Sequence, residues 1–374
     1  MTLPLPSDTS AALKPSSLAA ERPALGAAYT LAAAPAPRLT ASQQSARDAI
    51  LRSDRPEDYE AVDCPCRARQ GDRLLAEVDR HGIPCRNVIC LACGLIRLSP
   101  RWREERYDRF YRSEYRSLYN PSLSSRADYA REVACNPATL ARGRWIERTA
   151  LRYGLPARPR LVELGAGAGW NLSRLPTGWH RVGYDVDDEY LEIGRNSFGV
   201  EMRKGLVEDA LPAMSRADIV LLSHVVEHFP SPEAVLEGIT RRLGPGALLL
   251  IEVPGLFRLH RTNLDPRSYL QNAHTFTYCA ATLQDACRRA GLEVLELDQF
   301  TRAVCRTGSP ALQHADALRA GLAERITRYL RLCDSGYRQY VWLRQLPAVG
   351  SAAAALWKRT YFAALGLAPT REVR

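Results

Sequence analysis

The stretch Leu161–Trp170 reads LVELGAGAGW, an apolar run closed by an acid and then three glycines at alternate positions. An apolar run that stops at small residues ahead of helix-compatible sequence is a buried parallel strand entering a tight turn of an α/β sheet. Glycines there let backbone N–H groups come close to a ligand. The dinucleotide fingerprint, begun at Gly165 and Gly167, needs its last glycine where Trp170 stands, which weakens a nicotinamide reading. A second strand-like run, His180–Asp185 (HRVGYD), ends in a carboxylate placed to accept hydrogen bonds from both ribose hydroxyls of any adenosine.

With these features the chain resembles the class I S-adenosylmethionine-dependent methyltransferases, whose glycine motif is an acid, an apolar residue and then G-x-G-x-G. Glu163, Leu164, Gly165, Gly167 and Gly169 match it. The resemblance continues through ADIVLLSHVVEHFPSPEAVLEGITRRLGPGALLLIEVPG, Ala217 to Gly255, which follows the family's fourth strand, helix, Gly-Pro-Gly turn and fifth strand in order. It implies an α/β fold with a Rossmann-like methyltransferase sheet and S-adenosyl-L-methionine as cofactor. Glu163 and the Gly165, Ala166, Gly167, Gly169 turn would face the methionine part, Asp185 the ribose, and Glu208 and Asp209 the adenine. Val186 and Ser223 complete the expected cofactor-binding set.

Four cysteines precede this region as a C-x-C pair, Cys64 and Cys66, and a C-x-x-C pair, Cys90 and Cys93, with 23 residues between the pairs. Two close thiolate pairs brought together by a hairpin can supply tetrahedral ligation to a structural zinc, which substitutes for a core in a small segment. Cys85 is a fifth candidate. The segment looks like the cysteine-rich domain found ahead of a subgroup of these methyltransferases that act on sugars and natural products, where it helps to shape the substrate pocket. Tyr107, Tyr111, Arg112 and Tyr115 could then meet a sugar or phosphate, although their spacing favours an amphipathic helix packed on the core.

The formal charge of +10 is unevenly spread over the 374 residues. Residues 161–300 carry 13 basic and 19 acidic side chains, against 14 and 7 over 101–160 and 12 and 4 over 301–374. Basic flanks around an acidic centre suit an anionic partner. Only three of the 51 basic residues are lysine, however, and the arginine excess reads first as solvated surface charge. Residues 1–60, rich in Ala, Pro and Ser, are expected to form a disordered leader, with a zinc-binding segment over 61–120, the catalytic domain over 121–305 and a helical extension over 306–374. Leu312, Leu318, Leu322, Ile326 and Leu330 mark the helical period of that extension, which could pack on the catalytic domain or on a second copy in a homodimer. A helical connector is expected around Ala127 to Tyr153. No run of 18 apolar residues occurs, so a soluble, cytoplasmic protein without a transmembrane segment is expected. Its ten cysteines are expected as thiols or metal ligands.

Methyl transfer needs an acceptor held in line with the methyl group and, for many acceptors, a base. His224, Glu227 and His228 follow the fourth strand and would share one face of a helix. His274, in NAHTFTY, sits where related enzymes carry a substrate-facing histidine and is the expected base. In sugar C-methyltransferases this region commonly reads H-E-H; Asn272 and Ala273 replace the first two members, which leaves oxygen methylation open beside carbon methylation. The same four residues could hold a divalent metal, as an E-x-x-E-H set does in terminal 2′-O-methyltransferases of small RNAs. The expected function is methyl transfer to an oxygen or carbon of a sugar, sugar nucleotide or related small, anionic or sugar-containing intermediate. RNA methylation and a non-catalytic cofactor-binding module are the alternatives; no recognisable RNA-binding module supports nucleic acid as partner.

Overall fold

The computed structural model describes residues 22–33, 39–119, 126–261, 265–308, 320–345, 356–357 and 360–361. The N-terminal third builds strands β1 (Tyr59–Glu60), β2 (Asp72–Val78), β3 (Pro84–Cys90), β4 (Ile96–Leu98) and β5 (Arg101–Trp102). Beyond them lie β6 (Arg160–Leu164), β7 (His180–Asp185), β8 (Glu201–Lys204), β9 (Ile219–Ser223), β10 (Leu248–Glu252), β11 (Phe276–Thr277), β12 (Leu292–Leu297) and β13 (Arg302–Thr307).

Seven of these form one sheet in the order β12-β13-β10-β9-β6-β7-β8. The pairs from β10 through to β8 are parallel, and β13 runs against both its neighbours. The chain order therefore reverses between β6 and β9, and the crevice outside their carboxyl ends is the ligand position of such sheets. Strands β9 (IVLLS) and β10 (LLLIE) are buried at every position, the continuous apolar pattern of strands covered by helices on both faces. This is the doubly wound α/β architecture expected from the sequence.

The cysteine-rich part is a four-stranded antiparallel sheet ordered β11-β4-β3-β2. Its outer strand β11 comes from the far side of the catalytic region, with Phe276 opposite Arg97 and Thr277 opposite Ile96. Across this sheet Arg97 holds both oxygens of Asp72, at 2.9 and 2.6 Å. A helical rod then runs from Glu104 to Tyr119, with one wide π turn over Phe110–Glu114. The connector is two helices, Arg126–Cys135 and Pro137–Arg152, as expected.

Two expectations change. The supposed leader is structured where it is described: Ala41–Ser53 is a helix whose Thr40 cap exchanges hydrogen bonds with Gln43. Its Ile50 is fully buried against the cluster of Trp102, Phe110 and Leu118. Polar composition hid a helix with a single core-facing anchor; residues 1–21 lie outside the described part. The C-terminal helix Leu322–Gln345 packs mainly on the cysteine-rich sheet and the loops after β10 rather than on the face of the large sheet. Its Leu322, Ile326 and Leu330 meet Leu75, Ile89 and Ile96, and Tyr29 donates a hydrogen bond to Asp334 at 2.8 Å. Leu312 and Leu318 lie outside the described residues.

Replacing Ile50 by alanine is expected to lower the unfolding free energy by about 2–4 kcal/mol, the cost of a cavity in a closed core. Urea unfolding of the full chain measures it; a change within about 0.5 kcal/mol would mean that the helix does not contribute to the core.

Candidate functional site

Strand β6 delivers its chain end to the switch point, and the three glycines after it all take positive φ, 61° at Gly165, 56° at Gly167 and 72° at Gly169. A Cβ on Gly167 would lie 2.3 Å from the Trp170 indole, so the turn needs glycine there on two counts. Asp185, at the end of β7, accepts the Gly167 N–H at 2.7 Å and the Asp187 N–H at 3.0 Å. Burial raises its carboxyl to about 6, opposed by these two hydrogen bonds. Glu163 is 1 % exposed, and burial pushes its carboxyl to about 8 although Asn171 donates to one oxygen. The other oxygen has no hydrogen-bond partner. Val186 and Leu206 are exposed apolar side chains beyond β7 and β8, at 55 and 62 %. Glu208 and Asp209 are exposed in the first turn of the helix Val207–Met214, and Asp209 accepts the Leu206 N–H at 2.9 Å.

Behind the loop lies a buried charge network. Arg142 forks onto Glu252 at 2.7 and 3.1 Å and donates to Asn171 at 2.8 Å. Arg302 also reaches Glu252, at 3.1 Å. Burial would raise the Glu252 carboxyl, but His224 and the two arginines hold it far below the carboxylate range.

His224 follows Ser223, the buried last residue of β9. It is not helical: its φ is 57°, a left-handed conformation rare for a residue with a side chain. The expected helix face of His224, Glu227 and His228 is thus replaced by a strained corner followed by a short 3₁₀ turn, Val226–His228. The corner is fixed by the His224 N–H donating to the Glu252 carbonyl at 2.8 Å. The imidazole lies 3.5 Å from Glu227 and 3.7 Å from Glu252. Desolvation pulls its pKa down, but the two carboxylates prevail and raise it to about 9, which favours the imidazolium at neutral pH; the ring is 44 % exposed, so solvent screens this attraction.

His228 Nδ1 lies 2.7 Å from the Ala273 carbonyl, which can only accept. Nδ1 therefore carries a proton, which leaves Nε2, 3.9 Å from Glu227, as the nitrogen that can exchange one. Tyr111 donates to the same carbonyl at 3.1 Å, and its ring packs edge-on to His228. His274 is 8 % exposed; burial, with His228 adding to it, lowers its pKa to about 3. Its Nδ1 faces the Tyr269 carbonyl at 3.2 Å and its Nε2 accepts a hydrogen bond from the Gln271 amide at 2.8 Å. Ligand atoms of Glu227, His228 and His274 come within 4.8 Å of one another, and neither Glu227 oxygen has a hydrogen-bond partner.

The four cysteine sulfurs Cys64, Cys66, Cys90 and Cys93 also gather within 4.8 Å. Cys64 and Cys93 are 3.5 Å apart, Cys66 and Cys90 3.6 Å. Tetrahedral thiolates at 2.3 Å from zinc stand about 3.8 Å from each other, so the donor set fits that ion. Cys85 is separate, buried and bonded to Asn87 at 3.3 Å. Among the described residues all cysteines are free thiols.

Residues 129–297 match a family model described as a methyltransferase domain. These residues carry a methyltransferase domain. No curated protein matches the chain. Similar solved structures include Streptomyces venezuelae DesVI, at 14 % identity over 50 % of this chain and all of that one, TM-score 0.39. Others are S-adenosylmethionine-dependent methyltransferases from Aquifex aeolicus, at 17 % over 48 % of this chain and 99 % of that one, TM-score 0.37, and from Clostridium acetobutylicum, at 10 % over 54 % and 99 %, TM-score 0.35. Among the described residues no helix is long and apolar enough to cross a membrane.

The methyltransferase domain gathers the expected Glu163, glycine-turn and Asp185 positions at one end of the sheet, with His224 and His228 following β9, the strand that pairs with β6. A cavity of about 420 Å³ lies elsewhere, on the face of β6–β8 beside the helix Val207–Met214, and Asp209 lines it. Sequence reasoning missed Arg142, Asn171, Glu252 and Arg302, because isolated charged residues carry no periodic signal. It also missed Leu206 and the link from Tyr111 to His228.

Replacing Arg142 by methionine leaves Glu252 with a weaker set of partners inside the domain, and removing one member of a buried pair costs about 3–5 kcal/mol. Thermal and urea unfolding of the variant test this; a loss under about 1 kcal/mol would assign the pairing of Glu252 to Arg302 and His224 alone.

Proposed function

We propose that this enzyme transfers a methyl group to an oxygen or carbon of a sugar, sugar nucleotide or related small biosynthetic intermediate, with His228 as general base. The observation that carries the reading is the environment of His228. Its Nδ1–H is pinned to Ala273, its Nε2 lone pair is free, and the loop and helix that pin it belong to the segments joined to the cysteine-rich sheet. The role first expected of His274 moves one ring away, since His274 is buried, its Nε2 lone pair is occupied, and its low pKa makes it a weak base. The carboxylates facing His224 favour its protonated form, which makes it the poorer proton acceptor.

S-adenosylmethionine, when bound, supplies an electrophilic methyl group. Glu163 and the Gly165–Gly169 turn would hold its methionine part, Asp185 its ribose, and Val186 with Leu206 the two faces of its adenine. Asp209 is engaged in capping the following helix, so this reading takes the apolar pair in preference to Glu208 and Asp209. The proton leaving the acceptor goes to His228 Nε2, and Glu227, 3.9 Å away, stabilises the imidazolium that forms. Tyr111 buttresses the same histidine from the cysteine-rich side. A zinc ion bound by Cys64, Cys66, Cys90 and Cys93 would fix that side in place.

A divalent cation on Glu227, His228 and His274 is a second reading, favoured by the unbonded Glu227 carboxylate. Against it stand the occupied Nε2 of His274 and the His224 imidazole that already faces Glu227. Elemental analysis separates the two: one zinc per chain, unchanged in Glu227→Gln and lost in Cys90→Ser, is expected, whereas a second metal that disappears with Glu227→Gln would replace the histidine-base mechanism.

The cofactor assignment has its own signature. With the carboxyl raised to about 8, Glu163 is mostly protonated at pH 7. The ammonium of the incoming methionine part favours the ionised form, so binding should release close to one proton, fading above pH 8 where the free protein has already lost it. Titration calorimetry in buffers of different ionisation enthalpy reads this, and Glu163→Gln should abolish the release. Once an acceptor is in hand, His228→Asn should lower kcat by about 10²–10⁴-fold with cofactor affinity unchanged; full turnover would remove His228 from the chemistry.

A further inference from the structure

We infer that Arg258 and Arg261 form an anion clamp that takes a phosphoryl group of the methyl acceptor. Both lie on the 3₁₀ turn Leu256–Arg261 that follows β10, where residues three apart fall on the same side. Both guanidinium groups sit over one ring: Arg258 is 4.6 Å and Arg261 5.1 Å from the centroid of Phe300. Phe300 belongs to the β12–β13 turn, which is locked to the end of β10 through the Val253 N–H donating to the Thr301 carbonyl at 3.3 Å. The platform is therefore part of the same sheet end as Glu252, whose carboxylate lies 3.7 Å from His224.

Two half-buried cations on one ring repel each other and ordinarily share an acid. Here the neighbouring acids are committed elsewhere. Glu252 pairs with Arg142 and Arg302, and Asp265 with Arg267 at 3.0 Å. Asp298 accepts the backbone N–H groups of Phe300 and Arg302. Among the described residues neither Arg258 nor Arg261 has an ion pair, and Arg258 Nε is buried without a hydrogen-bond partner. Two guanidinium groups gathered over one aromatic ring, with no ion pair among the described residues and the Arg258 Nε–H without a partner, suit bidentate phosphate contact. The pair also places the anion beyond the carboxyl end of β10, where it would anchor an acceptor without competing for the cofactor. Strand β10 pairs in parallel with β9, the strand that leads into His224, and lies one strand further from the glycine turn of β6.

The assignment rests on the small-molecule acceptor reading above, and the test separates the two. Full-length protein saturated with S-adenosylhomocysteine is titrated with inorganic pyrophosphate, with uridine diphosphate and with a short single-stranded RNA. Saturable binding of pyrophosphate and uridine diphosphate is expected, weakened at least tenfold in both Arg258→Met and Arg261→Met, with S-adenosylhomocysteine affinity and melting temperature unchanged. Phe300→Leu, which keeps both charges and removes the platform, should weaken it about threefold or more. Preference for uridine diphosphate over pyrophosphate would mark a nucleotide-linked acceptor, and equal binding a simple phosphate ester. The clamp is overturned if cofactor-loaded protein binds neither probe, if the arginine variants bind as the parent does, or if RNA alone binds in an Arg258- and Arg261-dependent way. Failure of the parent protein to bind S-adenosylhomocysteine at all would instead strike the cofactor assignment.

Discussion

Glu252 is the residue on which the geometry of the catalytic end depends. A carboxylate 3 % exposed at the end of a fully buried strand is costly unless its charge is met, and here it is met from three directions. Arg142 comes from the connector helix, Arg302 from the antiparallel strand β13, and His224 from the corner after β9. One buried charge thereby fixes three elements that share no local sequence. It also explains why a histidine tolerates a left-handed backbone: the strain at His224 is held by a backbone hydrogen bond to residue 252 and by the attraction of its ring to the same residue's side chain. The electrostatics of the site follow, since carboxylates that favour a protonated His224 leave His228 as the histidine with a lone pair to use.

A second constraint is topological. Two residues, Phe276 and Thr277, complete the cysteine-rich sheet although they lie about 180 positions after its other strands. The adjoining loop, Gln271–Thr275, must then run beneath that sheet, which brings the Ala273 carbonyl to His228 and the Tyr111 hydroxyl to both. The N-terminal segment is therefore not an appendage to the catalytic sheet. It is joined to the His228 loop, and the C-terminal helix packs on it through Leu322, Ile326 and Leu330.

Most of the large sheet was legible because its strands follow the simplest rule. Runs such as IVLLS and LLLIE, each ending at small or charged residues, have one physical solution in an α/β chain, and the alternate glycines mark where the cofactor loop must turn. The four-cysteine spacing was legible for a similar reason, since paired thiols at short range have few other uses. What could not be read depended on partners far apart in sequence. The Ala41–Ser53 helix has one buried anchor and otherwise polar surface, so nothing in its pattern separates it from a leader. Both His228 and His274 meet a backbone carbonyl through Nδ1, so the choice between them rests on the Gln271 amide and the burial at His274 Nε2, which no spacing rule encodes. His224 looked helical because an i, i+3, i+4 set of polar residues fits a helix face; the backbone hydrogen bond to Glu252 took precedence.

The distribution of charge gains a structural meaning from these contacts. Part of the acidic balance of residues 161–300 is met inside the domain, while acids such as Asp188, Glu189, Glu192 and Glu208 stay exposed: burial favours a protonated Glu163, Glu252 faces two arginines and His224, and Asp185 is tied to backbone N–H groups. Arg258 and Arg261, which have no ion pair among the described residues, add positive charge around the Phe300 ring beyond the end of β10. In the proposed reading the ammonium of the sulfonium cofactor would meet Glu163, which leaves that arginine pair for the other reactant. An anionic acceptor would be the complementary one, because opposite charge at a site edge steers and orients a ligand.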